Sequence, residues 1–407
     1  MNYLFEGKLD NTIHNVTMNQ LMYLYEENKK ELKQSRRVTQ ETYNGRTAFD
    51  YIQNDRVAIY EESLNRQPRT DGVLIKYPYG TIIQQSETGH FYRGENKIYT
   101  DSTPSLYRKL KQFVSQDEKN LYRLVADMRI AKFKKLLNCF NHVKEWHYCD
   151  VLYDALAQHY GLETDWLDIT SDFNVALFFA TCFWDNNDKR WKPLTKKQTE
   201  IDERHKYGMI FHTPSYRIKG RQVVAEEYFL NHSFYSEDSP NYVAYPIGFQ
   251  PFMRCHMQNG YAMYMRKPNP LQKNIDFEKL RFRHSEELSN WIYDKMEGGK
   301  LIYPHEGLNE VDFLIKQISE LTIFSKDAFK YAIERSNADL QCDEKEILNA
   351  LQSFKINGKN IVIKDKSEWH LSSGRRKKID RLYSNFSVEE YYNIKVLRRE
   401  ILNIEKN

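Results

Sequence analysis

The sequence Ala157-Gln-His-Tyr-Gly-Leu-Glu-Thr-Asp-Trp-Leu-Asp-Ile-Thr170 decides the fold of this chain. A helix is predicted over Asp150–Tyr160. Asp150 is its predicted N-cap, since aspartate is favoured at that position. The helix is predicted to end before Gly161, because glycine is favoured just after the last helical turn. A short loop is then predicted to lead into a second helix over Asp172–Phe183. That helix is apolar nearly all round, so we expect it to be buried. The polar residues of the stretch therefore stand between two helix ends.

Several polar groups in this stretch are suited to ligand binding. His159 carries an imidazole that can exchange a proton near neutral pH. Asp168, Thr170 and Ser171 precede the buried helix, and the N–H groups at a helix N-terminus favour a phosphate. The alternative is structural, with Asp168 or Asp172 capping the helix and His159 bonded to a buried carbonyl. The sequence leaves both interpretations open.

Two other segments place a polar side chain close to a glycine. In Phe91-Tyr92-Arg93-Gly94 an arginine ends an apolar strand, so its guanidinium can enter a cleft and bind a phosphate or carboxylate through two hydrogen bonds. The alternative is a salt bridge within its own domain. Gln258 stands two residues before Gly260, where its amide can read a ribose hydroxyl or a carboxamide. The alternative is an amide that closes a turn.

Around these segments, short strands alternate with helices, which predicts an α+β fold. Strands are predicted at Val73–Tyr77, Gly80–Ile83, His90–Gly94, Gly208–His212, Gln222–Ala225, Tyr261–Met265, Leu280–Arg283 and Asn360–Ile363. Further helices are predicted at Asn19–Leu32, Leu106–Phe140 and Leu308–Leu321. We expect a helical N-terminal extension at 1–72, a mixed α/β core at 73–320 and a helical C-terminal tail at 321–407.

Composition limits the classes of function. The chain has 407 residues, of which 60 are Lys or Arg and 56 are Asp or Glu, so its net charge is +4. A charge so close to neutral excludes a protein that binds nucleic acid over most of its surface. The run Arg375-Arg376-Lys377-Lys378 is the candidate polyanion contact, although such runs are more often a solvated surface. The five cysteines show no CxxC spacing, and His142, His147 and Cys149 lack a second ligand pair, so no metal is expected. We expect a cytoplasmic protein that does not enter a membrane.

The three segments occur in an order that resembles the FRG domain, a bacterial and phage family named for its (Phe/Tyr)-Arg-Gly motif. The similarity runs from about residue 73 to 320, and includes Phe91–Gly94, the stretch 157–170, the Asn174-Val-Ala helix, Arg254…Gln258-x-Gly260 and Ile302-Tyr-Pro…Gly307-Leu308. Asp165 stands where the family usually has an arginine, and Asn259 where it usually has a glutamine. The first of these differences reverses a charge beside the expected site.

The order of these residues is also similar to that of arginine-type mono-ADP-ribosyltransferases, which implies a split sheet flanked by helices and NAD as co-substrate. By this resemblance Arg93 holds the pyrophosphate or ribose, Thr170 and Ser171 shape the nicotinamide pocket, and His159 serves the acceptor as a base or orients a ribose. Such enzymes place a catalytic acid where this chain has Gln258, so the carboxylate must come from elsewhere. The candidates are Asp168, Glu226 and Glu227.

The resemblance implies an NAD-dependent effector, such as a toxin or an anti-phage defence protein, that modifies a protein, RNA or DNA acceptor and is held in check by an antitoxin or regulator. The expected catalytic residues are Arg93, His159, Asp168 and Gln258. The expected cofactor-binding residues are Tyr92, Arg93, Gly94, His159, Tyr160, Thr164, Thr170 and Ser171. The alternatives are a module that binds nucleotide or nucleic acid without turnover, and a structural protein that acts through its partners.

Overall fold

A computed structural model gives the arrangement of most of the chain. The described residues are 4–5, 11–35, 56–57, 73–77, 80–84, 89–146, 150–215, 217, 242–265, 267–335, 343–365 and 371–383. The predicted strand Gln222–Ala225 and the candidate acids Glu226 and Glu227 lie outside these residues, as do His147 and Cys149.

Helices and strands alternate along the described chain, so the predicted α+β class is confirmed. The α-helices are α1 (Met18–Ser35), α2 (Ser105–Leu110), α3 (Gln116–Leu137), α4 (Asn141–Lys144), α5 (Tyr153–His159), α6 (Phe173–Thr181), α7 (Lys196–Thr199), α8 (Met253–Met257), α9 (Glu286–Lys295), α10 (Asp312–Ser319), α11 (Lys326–Arg335), α12 (Glu344–Ser353) and α13 (Ser373–Leu382). The strands are β1 (Ile13–Asn15), β2 (Arg56–Val57), β3 (Val73–Tyr77), β4 (Gly80–Gln84), β5 (His90–Glu95), β6 (Trp166–Thr170), β7 (Cys182–Asp185), β8 (Arg190–Pro193), β9 (Tyr207–Pro214), β10 (Tyr242–Pro246), β11 (Gly260–Met265), β12 (Glu278–Arg283), β13 (Ile323–Ser325), β14 (Lys355–Ile356), β15 (Lys359–Asn360) and β16 (Val362–Lys364). Short 3-10 helices cover Leu271–Lys273, Glu297–Gly299 and Gly307–Val311.

The centre of the molecule is a seven-stranded mixed sheet in the order β1-β12-β9-β5-β6-β11-β10. On one side of its midline β5 pairs with β9 over six residues, and on the other β6 pairs with β11 over five. The two inner strands meet each other at a single pair, Tyr92 opposite Thr170. The sheet therefore opens into a fork between β5 and β6, with a four-stranded half on one side and a three-stranded half on the other.

Helix α6 packs closely against β5. Its residues Phe173, Val175, Leu177 and Phe178 are almost completely buried, as the apolar pattern predicts. Gly94 makes this approach possible, because a Cβ atom added there would lie 1.7 Å from the carbonyl oxygen of Ala176. The glycine of the Phe-Tyr-Arg-Gly motif thus sets the distance between the strand and the buried helix.

Two helix predictions are wrong in detail because other contacts set the helix starts. The predicted helix Leu106–Phe140 is divided into α2 and α3, and Ser115 begins the second with a capping box to Glu118. The predicted N-cap Asp150 is wrong as well, since α5 begins at Tyr153 after Leu152. The side chain of Gln250 accepts the N–H of Leu152 at 2.9 Å, so a distant residue takes the place of a local cap. Gly161 does follow the helix, with a φ of 86°.

The largest difference from the sequence prediction concerns residues 166–170, which form strand β6 rather than a loop. Alternate residues of this strand face opposite ways, as the period of two requires. Asp168 and Thr170 line a cavity, whereas Asp165, just before the strand, pairs with Arg123 through contacts of 3.0 and 3.2 Å. The reversed charge at Asp165 is therefore neutralised in the core and does not line the cavity.

Residues from the predicted extensions contribute to the same assembly. Strand β1 adds to the sheet edge parallel to β12, and Asn28 of α1 accepts the N–H of Phe173 at 2.8 Å. Near the other end, Ile379 of α13 is fully buried in a cluster with residues of α3 and α10. The boundaries 1–72, 73–320 and 321–407 remain predictions. Among the described residues, no helix is both long enough and apolar enough to cross a bilayer.

Candidate functional site

A cavity of about 430 Å³ lies where β5 and β6 separate. Seven residues that the sequence analysis selected line it: Tyr92, Arg93, Gly94, His159, Asp168, Thr170 and Gln258. They come from two strands and from the ends of helices α5 and α8, and are brought together only by the folded chain. Their chemical roles remain predictions.

Arg93 connects the two strands of the fork. Its Nη1 donates to the backbone carbonyl of Asp168 at 2.7 Å, and its Nε donates to Glu95 at 3.1 Å. Glu95 is buried and also accepts from the Ser102 hydroxyl at 2.6 Å. Within the described part of the chain, Nη2 of Arg93 makes no hydrogen bond, and it is the part of the guanidinium available to an anionic ligand.

His159 and Asp168 face each other across the cavity wall. Their closest side-chain atoms, Nε2 and Oδ1, are 3.2 Å apart, although the two groups are not aligned as a hydrogen bond. Burial lowers the pKa of His159, and the positive charge of Arg254 acts in the same direction while Asp168 opposes it. The imidazole is consequently neutral near pH 7 and can accept a proton. The side chain of Asp168 is 32% exposed, so a ligand can reach it.

Thr170 and Gln258 connect the end of strand β6 to the end of helix α8 beside the cavity. The Thr170 hydroxyl donates to the backbone carbonyl of Gln258 at 2.6 Å. The Gln258 amide donates to the carbonyl of Ile302 at 3.0 Å, and its side chain lies close enough to His159 and Tyr303 to affect the pKa of both. Gln258 therefore holds its neighbours in place with an uncharged group, which supplies no negative charge to a ligand.

Three of the expected cofactor-binding residues do not line the cavity. The Tyr160 hydroxyl hydrogen-bonds to buried Glu306. Thr164 is buried, donates to Gln158 at 2.8 Å and accepts the N–H of Trp166. The backbone N–H of Ser171 donates to Asn259 at 3.1 Å. Through these contacts the three residues support the residues that line the cavity, without lining it themselves.

The N-terminus of α6, where a phosphate was expected, already has protein acceptors. Asp172 caps the helix by accepting the N–H of Asn174 at 2.8 Å, as the structural alternative proposed. Thr170 accepts the N–H of Asp172 at 3.0 Å, and Asn28 accepts that of Phe173 at 2.8 Å. These acceptors occupy the first N–H groups of the helix, so an anion in the cavity depends on the arginine side chains.

A second arginine, which the sequence analysis did not select, lies in the same cavity. Arg108 lies on α2 and also hydrogen-bonds to the carbonyl of Thr103. Burial lowers the pKa of Arg108, and the nearby charge of Arg93 lowers it further. Two guanidinium groups that repel each other inside one cavity favour an anionic ligand that would relieve the repulsion.

Aromatic side chains that local sequence patterns did not predict form one wall of the cavity. It is formed by Phe179, Phe183, Trp184, Trp191 and Tyr303, all of which line the cavity. Trp191 lies 5.3 to 5.8 Å from four aromatic neighbours, measured between ring centres. It belongs to strand β8, in a polar segment of the sequence in which Asp188, Lys189 and Arg190 come directly before it. A tryptophan inside so polar a segment was the available signal. For Glu95, the signal was its position two residues after Arg93, on the same face of the strand.

The expected polyanion contact has partners within the protein. The Arg375 guanidinium lies 4.0 Å from the centre of the Phe313 ring, and Lys378 pairs with Glu310 at 2.6 Å. Among the described residues, no group of three His, Cys, Asp or Glu side chains is arranged to hold a metal ion.

Comparison with known proteins gives one match. The FRG domain matches residues 88–189, a segment that contains Arg93, His159, Asp168 and Thr170. Searches of curated proteins and of solved structures found no match. The Phe-Tyr-Arg-Gly strand, the His-Tyr-Gly helix end and the buried helix α6 all fall within the matched segment. Residues 88–189 of this chain are therefore similar to the FRG domain.

Proposed function

We propose that the cavity binds NAD and that the protein transfers ADP-ribose from it to a macromolecular acceptor. One observation carries the proposal. Arg93, His159, Asp168 and Gln258, selected from separate parts of the sequence, line one cavity with an aromatic wall. A dinucleotide offers the matching chemistry, since it combines planar rings with a pyrophosphate.

The two sides of the cavity favour different parts of such a ligand. Arg93 and Arg108 provide the positive charge that a pyrophosphate needs, and an arginine can bind phosphate oxygens through two parallel hydrogen bonds. Trp191 and its neighbours provide faces and edges for a planar ring. In this arrangement the base or nicotinamide lies against the wall and the phosphates lie toward β5.

The proposed reaction needs a carboxylate and a base. When the bond between nicotinamide and ribose breaks, its electron pair leaves with nicotinamide and positive charge develops on the ribose, which a carboxylate stabilises. Asp168 lines the cavity, and its partly exposed carboxylate lies 3.2 Å from the His159 imidazole. An acceptor nucleophile then bonds to the ribose carbon and gives its proton to the neutral imidazole of His159.

This chemistry fits an effector that acts inside a cell, because NAD and macromolecular acceptors are available there. A toxin or a defence protein that modifies a protein, RNA or DNA is the role we propose, with an antitoxin or regulator limiting its activity. The proposed polyanion contact remains the run Arg375, Arg376, Lys377 and Lys378. Arg375 and Lys378 already contact Phe313 and Glu310, so the contact depends more on Arg376 and Lys377.

The test is NAD binding by isothermal titration together with nicotinamide release, for the wild type, Arg93→Ala and Asp168→Asn. Loss of the Arg93 contacts should weaken binding by about 10- to 100-fold, since hydrogen bonds to charged groups contribute about 1.5–3 kcal/mol. Asp168→Asn should bind NAD normally and release far less nicotinamide. Arg283→Ala is the matched control, because Arg283 is exposed at the end of β12 and does not line the cavity.

A second candidate function is nucleotide binding without turnover. It is favoured by the uncharged Gln258 and by the contacts that Arg93 already makes with Glu95 and Asp168. In that case NAD binds with Arg93-dependent affinity, and nicotinamide release stays at the uncatalysed rate for every variant. If instead Arg93→Ala fails to fold and the wild type binds no nucleotide, the residues form a structural network and both proposals are wrong.

A further inference from the structure

A buried arginine lies behind the cavity, in direct contact with residues that line it. The guanidinium of Arg254 is sandwiched between two tyrosine rings, with its carbon 4.2 Å from the centre of Tyr160 and 4.9 Å from that of Tyr303. Its Nη1 donates to the backbone carbonyl of His159 at 2.9 Å. His159 is the last residue of α5, where a helix leaves carbonyl oxygens without an intrahelical partner, so Arg254 completes that helix end.

Arg254 also contacts Gln258 and Glu306. Its backbone carbonyl accepts the N–H of Gln258 at 3.1 Å. Its Nε lies 3.9 Å from Glu306, which is buried and also bonds to Tyr160 and to the backbone N–H of Met253. Arg254 thus contacts His159, Tyr303 and Gln258, three lining residues from three separate segments, without lining the cavity itself.

We propose that Arg254 is a positioning residue, which fixes His159 and Tyr303 against the cavity and places a positive charge behind the imidazole. The proposal rests on the proposed function, because it assigns His159 a role toward the ligand. A planar guanidinium suits this place for two reasons: it stacks on both rings, and its fork reaches a carbonyl while remaining charged. Lysine can supply the charge and not the stack.

Three variants separate the role of the charge from that of the shape. Glu306→Gln removes the buried negative charge and keeps one carbonyl oxygen, which can accept the Met253 N–H while the amide NH2 group faces the Tyr160 hydroxyl. Arg254→Met/Glu306→Gln then removes the positive charge without leaving Glu306 unpaired in the core. Arg254→Lys keeps the charge and loses the stacked plane. Folding of each variant is checked by thermal unfolding.

The first readout is titration of the His159 imidazole by NMR, with its signals assigned by their loss in His159→Gln. We expect His159 to titrate at higher pH in Arg254→Met/Glu306→Gln than in Glu306→Gln, and at its wild-type pH in Arg254→Lys. His212 is an internal control, since it is buried beside Glu278 and His90. Equal titration of His159 in the first two variants would overturn the charge part of the proposal.

The second readout is nicotinamide release. Arg254→Lys should lower kcat by about 10- to 100-fold with KM within about threefold of wild type, because small displacements of positioned groups reduce turnover at this scale. Unchanged kcat in a folded Arg254→Lys protein would refute the positioning role. If the wild type releases no nicotinamide, the proposed function fails, while the His159 titration still tests the contact between Arg254 and His159.

Discussion

Replacing Gly94 with alanine tests the close packing of the motif strand on helix α6. An added Cβ would lie 1.7 Å from the carbonyl oxygen of Ala176 and 3.0 Å from the backbone nitrogen of Ala180. Real Cβ contacts are essentially never shorter than 3.0 Å, so the helix must move away by 3.0 minus 1.7, or 1.3 Å. The opposing atoms belong to the backbone of a buried helix and cannot rotate aside as a flexible side chain would.

Overpacking of a core typically costs about 1–3 kcal/mol, and a backbone clash places Gly94→Ala at the upper end of that range. We expect the free energy of unfolding in urea, followed by tryptophan fluorescence, to fall by about 3 kcal/mol. Because α6 and β5 both line the cavity, NAD binding by isothermal titration should weaken as well.

The matched control is Gly374→Ala in α13, where an added Cβ meets no atom within 4 Å. Alanine favours a helix over glycine by up to about 1 kcal/mol, so this variant should be as stable as the wild type or slightly more stable. If Gly94→Ala changed stability by less than about 0.5 kcal/mol and kept wild-type affinity, the inferred packing of β5 on α6 would be wrong.

Three other perturbations test separate parts of the structure. Burial lowers the pKa of His142 in the folded protein to about 3, from a usual value of 6.5. As the pH drops below about 6.5, His142 is therefore protonated in the unfolded chain and not in the folded one, and the free energy of unfolding falls. Between pH 7 and 5 the unfolding free energy of the wild type should therefore fall by about 2 kcal/mol more than that of His142→Phe, in urea titrations at both pH values. Arg123→Met leaves Asp165 buried without its cation and should cost about 3–5 kcal/mol, most of which Arg123→Met/Asp165→Leu should restore; equal stability of the single and double variants would argue against the pair. Trp191→Leu should weaken NAD binding by up to about 10-fold, as expected for a lost aromatic contact, and unchanged affinity would exclude the wall from ligand binding.

Local patterns predicted much of the fold correctly. The strand at His90–Glu95 and the buried helix at Phe173–Thr181 were found because apolar composition and glycine punctuation are local signals. Strand β6 was missed because its structure depends on pairing with Gly260–Met265, some ninety residues later. A single sequence does not contain that pairing, whereas a helix carries its hydrogen bonds within itself.

In the candidate site, too, residues marked by local sequence patterns were predicted and residues placed by distant contacts were not. Arg93, His159 and Asp168 were selected because their residue types stand out beside turns and apolar segments. Arg108 was not, because nothing near it in the sequence marks a helix residue as facing a cavity. Trp191 was missed because the polar residues around it hid its contacts with residues of α6, which arise only when the hairpin of β7 and β8 folds back.

The order of strands in the central sheet determines what a shortened protein would contain. The segment matched by the FRG domain, residues 88–189, includes β5 and β6 but neither β9 nor β11, which are their main partners. Excised alone, it would hold two strands joined at one residue pair, with both outer edges open to pairing with other chains. It would also lack Gln258 and Tyr303. The matched segment is thus smaller than the part of the chain that forms the cavity, and a fragment that keeps the partners of β5 and β6 together with Tyr303 must extend at least to residue 303.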